Sequence, residues 1–324
     1  MNKTVFLNVE KLDYDKKLIF SPLFELATTT MYDTSTDAEI IERVQGQNLV
    51  ITKELSLGKS LIDQFPPSVR LICEAGTGYN NIDIDAARSK NITVCNVPDY
   101  SSEAVAHLII TFILNISSSL VPQQNMLQHK NFKNFTKSLQ VPHFELQGKT
   151  LGIIGAGTIG RRAQKIALAL GMSIMVYDIS PQIKDESKVR YVPLEELLAS
   201  SDFVSINCPL NSTTKHLVNK KTLALMKPTA FIINTSRGQL INEVDLIDAL
   251  QNGKIAGAAL DVQEQEPPEL DNPLFSMGNV IMTPHIGWRR IESRQRLVQI
   301  MADNIKAFIN GAPINVVNGP LCTS

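Results

Sequence analysis

Residues 152–160 read Gly152-Ile153-Ile154-Gly155-Ala156-Gly157-Thr158-Ile159-Gly160, and the fold follows from this stretch. It closes an apolar run over 150–154 and opens an amphipathic one over 163–170, the order of a strand, a glycine turn and a helix. The spaced glycines have separate jobs. Gly155 allows the tight turn, Gly157 lets backbone N–H groups approach a pyrophosphate at the helix N-terminus, and Gly160 lets helix and strand pack closely. Glycine turns also occur with no ligand, but here a second apolar strand over 173–177 ends in Asp178. That is the separation at which an acidic side chain meets the adenosine ribose. A carboxylate there accepts from the 2′- and 3′-hydroxyls and repels a 2′-phosphate, so the sequence favours NAD over NADP. The alternative, an aspartate that only begins a turn before Ser180-Pro181, leaves the matched spacing unexplained.

A chain of 324 residues has room for about two domains, each with its own core. The formal net charge of -1, from 31 basic and 32 acidic residues, provides no basic field, so neither nucleic acid nor an anionic membrane is expected as a main partner. Cys73, Cys95, Cys208 and Cys322 are far apart and form no C-x-x-C pair, which argues for a reducing compartment and against a disulfide framework or a zinc knuckle. The first apolar run is too short for a signal peptide. The longest apolar region, 104–116, contains His107 and Asn115 and is shorter than the roughly 20 residues of a membrane span. The expectation is a soluble, cytoplasmic chain with no metal site.

From the N-terminus, apolar runs at 5–9, 27–31, 49–52, 71–75 and 92–97 read as strands, with helices at 37–44, 55–65 and 82–89 between them. Such alternation predicts a parallel sheet covered on both faces. Pro98-Asp99-Tyr100-Ser101 breaks the pattern. Ser101 or Ser102 can cap the helix that follows, with Glu103 favoured in its first turn. That helix, 104–120, is apolar almost all round and should be buried, whereas 123–147 is polar and irregular. The nucleotide-binding unit continues with strands at 150–154, 173–177, 203–207, 230–234, 257–260 and 280–282, and helices at 161–170, 194–199, 220–224 and 243–251. A last amphipathic helix, 292–309, has the length to return to the first domain. The expected domains are thus 1–97 with 291–324, and 98–290 for nucleotide binding.

Open α/β sheets bind ligands outside the carboxyl ends of their strands. Thr235-Ser236-Arg237-Gly238 follows the strand ending at Asn234. Asp261, then Glu266-Pro267, follow the one ending at Leu260, and Thr283-Pro284-His285-Ile286-Gly287-Trp288 follows the one ending at Met282. Singly, each has an ordinary explanation: a surface arginine, a solvated turn, a structural histidine. Together they match a chemistry. Reduction of a 2-keto acid needs a guanidinium to hold the carboxylate and polarise the ketone. It needs an imidazole to protonate the forming alkoxide and a carboxylate to orient that imidazole and favour its protonated form. Arg237, His285 and Glu266 fit those roles in that order.

The chain resembles the D-isomer-specific 2-hydroxyacid dehydrogenases along nearly its whole length. The residues that carry the resemblance are Gly76-Thr77-Gly78-Tyr79-Asn80-Asn81-Ile82-Asp83, the glycine fingerprint, Thr235-Ser236-Arg237-Gly238, Asp261-Val262 through Glu266-Pro267, and Pro284-His285. The resemblance implies two Rossmann-like or flavodoxin-like doubly wound parallel-sheet domains with an interdomain cleft that closes, and a homodimer. It implies Arg237, Glu266 and His285 as the catalytic set, with Thr77 and Gly78 cradling the substrate carboxylate. Thr158, Ile159, Asp178, Cys208, Thr214, Thr235, Ser236 and Asp261 would line the NAD site beside Gly155, Gly157 and Gly160, with Arg237 and His285 touching both ligands.

Within that family, Tyr79-Asn80-Asn81, the segment 96–101 and Trp288 look most like the glycerate dehydrogenases, also called hydroxypyruvate reductases. Trp288 would help wall a pocket for a small substituent, although a packed boundary tryptophan is an equal reading. Two departures are His107-Leu108, where relatives carry Gln-His, and the basic pair Arg289-Arg290. The implied reaction is reversible NADH-dependent reduction of a short 2-keto acid, hydroxypyruvate or glyoxylate, to the D-2-hydroxy acid. A D-lactate-type or 3-phosphoglycerate dehydrogenase is the competing enzyme reading; a phosphorylated substrate would call on Lys53 and Arg289-Arg290. A non-catalytic NAD-sensing protein, like the corepressors that share this fold, is the alternative of another class.

Overall fold

The computed structural model describes residues 2–179 and 188–319. Ser180-Pro181 and Cys322 lie outside the described residues. The chain divides into two compact units, one of residues 1–101 with 289–324 and the other of residues 102–288.

The first unit alternates strands and helices: β1 (Lys3–Phe6), α1 (Ser21–Phe24), β2 (Thr28–Met31), α2 (Asp37–Arg43), β3 (Leu49–Thr52), α3 (Lys59–Ile62), β4 (Leu71–Glu74), α4 (Ile84–Ser89) and β5 (Thr93–Cys95). All pairings are parallel, in the order β2-β1-β3-β4-β5. The middle strands β3 and β4 are buried at every residue, and they read as apolar runs up to Thr52 and Glu74 at their carboxyl ends. Helix starts are set locally. Thr36 and Glu39 form a reciprocal capping box on α2, and Asp83 caps α4 by accepting from the Ala86 N–H at 2.9 Å. Only Lys59–Ile62 of the expected helix 55–65 is helical. Leu57 instead takes up a parallel bridge with Ile82, its N–H donating to the Asn81 carbonyl at 2.8 Å.

The second unit begins with α5 (Ser102–Ser118), α6 (Leu120–Gln128) and α7 (Lys133–Thr136). Ser119, with φ of 49°, breaks the apolar helix that the sequence runs to 120, and part of the stretch read as irregular is helical. There follow β6 (Thr150–Ile154), α8 (Thr158–Ala169), β7 (Ser173–Tyr177), β8 (Val189–Tyr191), α9 (Leu194–Ser200), β9 (Phe203–Ile206), α10 (Lys220–Leu223), β10 (Phe231–Asn234), α11 (Glu243–Gln251), β11 (Gly257–Leu260) and β12 (Val280–Met282). The order is β12-β11-β10-β9-β6-β7-β8, again all parallel. Side chains alternate between two cores. Phe203, Ile233 and Ala259 pack with α5 and α8, while Val204, Ile232 and Ala258 pack with α9, α10 and α11. Each fully buried aliphatic side chain contributes about 1.5–3 kcal/mol. The short strand β8 was not expected.

The last helix, α12 (Ile291–Ile309), belongs to the first unit and packs on α1 and β4. Arg294, 2% exposed, anchors it through paired bonds of 2.8 and 2.7 Å to Asp15. No single described helix is long and apolar enough to cross a membrane.

Candidate active site

The seven-stranded order reverses between β6 and β9, and the glycine turn sits at that switch. Gly155 has φ of +94°, and a Cβ on it would lie 2.8 Å from the Cys208 backbone N, where the chain leaves β9. A Cβ on Gly160 would lie 2.3 Å from the Gly155 carbonyl oxygen, so helix and turn touch through backbone. A Cβ on Gly157 would meet no protein atom within 4 Å. Gly157 is the N-cap of α8 and makes no side-chain cap, so the first N–H groups of α8 point past it. The space left there at the start of α8 would admit a pyrophosphate.

Asp178 ends the next strand, and its Oδ2 accepts from the Ala156 N–H at 2.7 Å, which sets the carboxylate beside the glycine turn. Thr158 opens α8, and Ile159 packs on the core beneath it. On the other side of the switch, burial pushes the Cys208 thiol up to about 11. Thr214 closes an exposed loop on itself, its Oγ1 donating to the Pro209 carbonyl at 2.7 Å. Asn207 Oδ1 and Thr235 Oγ1 are buried without a protein hydrogen-bond partner, polar atoms that a bound dinucleotide would satisfy. These residues fit NAD.

Strands β10, β11 and β12 are neighbours, with Asn234, Leu260 and Met282 in register. Their carboxyl-end loops are locked together. Ser236 Oγ donates to the Ile206 carbonyl at 2.9 Å, and Arg237 Nη1 to the Ser236 carbonyl at 2.8 Å. A Cβ on Gly238 would lie 1.8 Å from the Gln263 carbonyl oxygen, so only glycine lets the Arg237 loop lie on the Glu266 loop. Glu266 Oε1 accepts from the Gln263 N–H at 3.0 Å, and Oε2 lies 2.8 Å from His285 Nδ1. The imidazole thus turns one nitrogen to the carboxylate, with its side chain 28% exposed.

His285 itself adopts φ of +51°. Asp261 holds it there: its carbonyl accepts the His285 N–H at 2.8 Å, Oδ1 accepts from the Ile286 N–H and from Thr283 Oγ1 at 2.8 and 2.6 Å, and Oδ2 accepts from the Gly287 N–H at 2.8 Å. Burial raises the Asp261 pKa, against the pull of those donors. Thr283 and the amides of Ile286 and Gly287 are the parts of this turn that the sequence did not single out. Leu108 and Val105 of α5 pack under it, within 3.5 and 3.3 Å of where a Gly287 Cβ would stand. His107, the next residue along α5, is exposed, its Nε2 4.0 Å from the Glu103 carboxylate one turn back. Trp288 is buried at the end of this unit.

In the first unit, Thr77 and Gly78 follow β4, with Thr77 Oγ1 donating to the Val97 carbonyl at 2.9 Å and the Thr77 carbonyl accepting from Asn96 at 2.7 Å. Lys53, read from sequence as a cation for substrate, is buried and pairs with Glu54. Among the described residues, no group of three or more His, Cys, Asp or Glu side chains is placed to hold a metal ion.

Comparison with known proteins agrees with this geometry. Residues 110–287, more than half of the chain, match the D-isomer specific 2-hydroxyacid dehydrogenase, NAD binding domain. The chain is 40% identical over 285 residues to hydroxypyruvate reductase of Blautia hydrogenotrophica, covering 86% of this chain and 88% of that one. It is 34% identical over 321 residues to glycerate dehydrogenase of Methylorubrum extorquens, covering 97% and 98%. Among solved structures it is similar to D-lactate dehydrogenase from Aquifex aeolicus complexed with NAD and lactic acid, with a TM-score of 0.84, 30% identity and coverage of 98% and 99%. A dinucleotide turn and an imidazole–carboxylate pair on one sheet edge are therefore no coincidence of composition, and the chain belongs to the D-isomer-specific 2-hydroxyacid dehydrogenase family of NAD-dependent oxidoreductases that act on CH–OH groups.

Proposed function

We propose that this enzyme reduces a short 2-keto acid to its D-2-hydroxy acid, with hydroxypyruvate to D-glycerate the preferred reaction and glyoxylate a side substrate. The observation that carries the reading is the His285–Glu266 pair, 2.8 Å apart on the sheet edge that also carries Arg237. NAD, when bound, supplies the hydride chemistry. Arg237 holds the substrate carboxylate and polarises the ketone, and His285 donates the proton from its free nitrogen to the forming alkoxide. Glu266 keeps the imidazole in the tautomer and orientation for that transfer, and Asp261 fixes the backbone from which it projects.

Gly155, Gly157, Thr158, Ile159, Gly160, Asp178, Cys208, Thr214, Thr235 and Ser236 line the cofactor site. The first unit is the substrate domain, where Thr77 and Gly78 offer backbone amides to the carboxylate. With Lys53 buried, it is not a solvent-facing cation for a phosphate group, which favours the unphosphorylated substrate.

The working unit is a homodimer. Leu120, Phe132, Phe135 and Leu139, all within twenty residues of one another, are each about half or more exposed, apolar surface that a second subunit would cover. Cys73, Cys95 and Cys208 are all free thiols, in keeping with a cytoplasmic site.

The test is steady-state NADH oxidation with hydroxypyruvate, glyoxylate, pyruvate, 2-ketoisocaproate and phosphohydroxypyruvate. Hydroxypyruvate is expected to give the highest kcat/KM. A higher value for phosphohydroxypyruvate or pyruvate would replace the substrate, and no turnover with any of the five would overturn the reading.

A further inference from the structure

The carboxyl edge of the five-stranded sheet carries a buried ionic group that the redox chemistry does not use. Lys53 follows β3 and is 1% exposed, and Glu74 closes β4 with no exposed surface. Such a pair is a poor device for stability alone, since well-packed apolar residues of similar volume do as well or better. Its contacts point elsewhere. Glu74 Oε1 accepts from the Glu54 N–H at 2.9 Å and Oε2 from Asn81 Nδ2 at 2.9 Å, so one carboxylate ties the turn after β3 to the turn after β4. Asn81 Nδ2 also donates to the Leu55 carbonyl at 2.8 Å. Lys53 pairs with Glu54 through its ammonium, and its backbone exchanges two bonds with the Asn8 amide, at 2.9 and 2.6 Å. A Cβ on Gly76 would lie 3.3 Å from Lys53 Nζ and 3.4 Å from Glu74 Oε1. The ammonium is therefore pressed against the backbone one residue before Thr77.

We propose that Lys53 is a positioning residue for the substrate-carboxylate cradle: its buried ammonium, held against Gly76 between Glu54 and Glu74, sets a positive potential under the Thr77–Gly78 amides and selects a carboxylate over an uncharged ketone. This rests on the reading of Thr77 and Gly78 given above. Glu74 is the brake on that potential. It is faced by Lys53 and Glu54 from the turn after β3 and by Asn81 from its own turn. Tyr100, after β5, acts on Lys53, and Arg296 of α12 donates to the Tyr100 carbonyl. Burial disfavours the Lys53 ammonium, but the charges of Tyr100, Glu54 and Glu74 more than offset it and hold its pKa above the usual lysine value. Burial lifts Glu74 to about 7. Below that pH Glu74 is largely neutral and the Lys53 field is opposed by Glu54, half-exposed to water; above it a second, buried carboxylate cancels more of it.

The test compares kcat/KM for glyoxylate and for its neutral methyl ester, at pH 6 and pH 8, in the full-length enzyme with NADH. Protonation by His285 serves both substrates and cancels in the acid-to-ester ratio, and a merely structural role would lower both together. Lys53→Met is expected to lower the ratio roughly tenfold through KM for the acid, the size of one screened charge. Lys53→Met with Glu74→Gln, which leaves no unpaired buried charge, is expected to give the same low ratio at both pH values. Glu74→Gln alone keeps the ammonium, so its ratio at pH 8 is expected to rise to its value at pH 6. A wild-type ratio in the double variant, or a wild-type pH dependence of the ratio in Glu74→Gln, would overturn the proposal. Wild-type enzyme that turns over neither compound, or prefers the ester, would instead overturn the proposed function beneath it.

Discussion

Replacing Glu74 by glutamine should make the protein less sensitive to rising pH, and the size of the effect follows from where the side chain sits. In the unfolded chain its carboxyl titrates near 4.5; in the fold it titrates at about 7, because burial disfavours the carboxylate more than Lys53, Asn81 and the Glu54 N–H favour it. Between those values the folded protein keeps a proton that the unfolded chain has released. More protons on the native state means that stability falls as pH rises through this window, then levels off above it. Raising the carboxyl from 4.5 to about 7 is worth about 3 kcal/mol in all, of which about 2.5 kcal/mol falls between pH 5 and pH 8. Glutamine keeps the shape, loses one accepted bond to Asn81 and does not titrate. Every other group titrates alike in both proteins, so the difference of differences isolates Glu74. Thermal and urea unfolding of both proteins at pH 5 and pH 8 is the assay, and the variant should gain about 2.5 kcal/mol on the wild type from the lower pH to the higher. A change under about 0.5 kcal/mol, the level at which independent effects fail to add, would refute the reasoning. It would mean that Lys53 keeps Glu74 ionised throughout.

Three further outcomes test the second unit. His285→Ala should lower kcat by at least about a hundredfold, as loss of a general acid does, while the Kd for NADH from fluorescence titration stays nearly unchanged; loss of cofactor binding together with turnover would count against a proton-donating role. Asp178→Ala should narrow the preference for NADH over NADPH by roughly ten- to a hundredfold in kcat/KM, the worth of charge-assisted bonds to the ribose, and an unchanged ratio would remove the reason for assigning NAD to this carboxylate. Gly157→Ala and Gly160→Ala should separate ligand from packing: the first adds a Cβ that meets no protein atom and should weaken NADH binding at an unchanged Tm, whereas the second drives a Cβ to 2.3 Å from the Gly155 carbonyl oxygen and should lower Tm. Equal melting losses in both would show that the Gly157 position serves the fold.

What could be read from letters was what local chemistry dictates. Gly155, Gly157 and Gly160 are glycines because of a positive φ, an open approach and a backbone contact, each expressed within nine residues. Central strands such as β3, β4 and β9 are buried at every position and are apolar but for Thr52, Glu74 and Ser205, so they show plainly. The misses have the opposite origin. β8 is three residues at a sheet edge with Arg190 exposed at its centre, and nothing in Val189-Arg190-Tyr191 demands a strand until β7 is beside it. The helix expected over 55–65 lost its first half to a bridge with Ile82, a partner from another turn. Propensity could not foresee that. The same limit applies to the charged groups. His285 and Glu266 are recognisable because hydride chemistry asks for an imidazole and a carboxylate past neighbouring strands. Asp261, which the resemblance assigns to the NAD site, is bonded four times to the turn that carries His285, a role that no sequence pattern announces. Lys53 reads as a cation free to meet a substrate, and only its enclosure by Asn8, Glu54 and Glu74 turns it into a charge that acts through backbone. Sequence specifies which charges exist; the fold decides which of them remain in water, and so whether a lysine touches its substrate or works on it through Gly76.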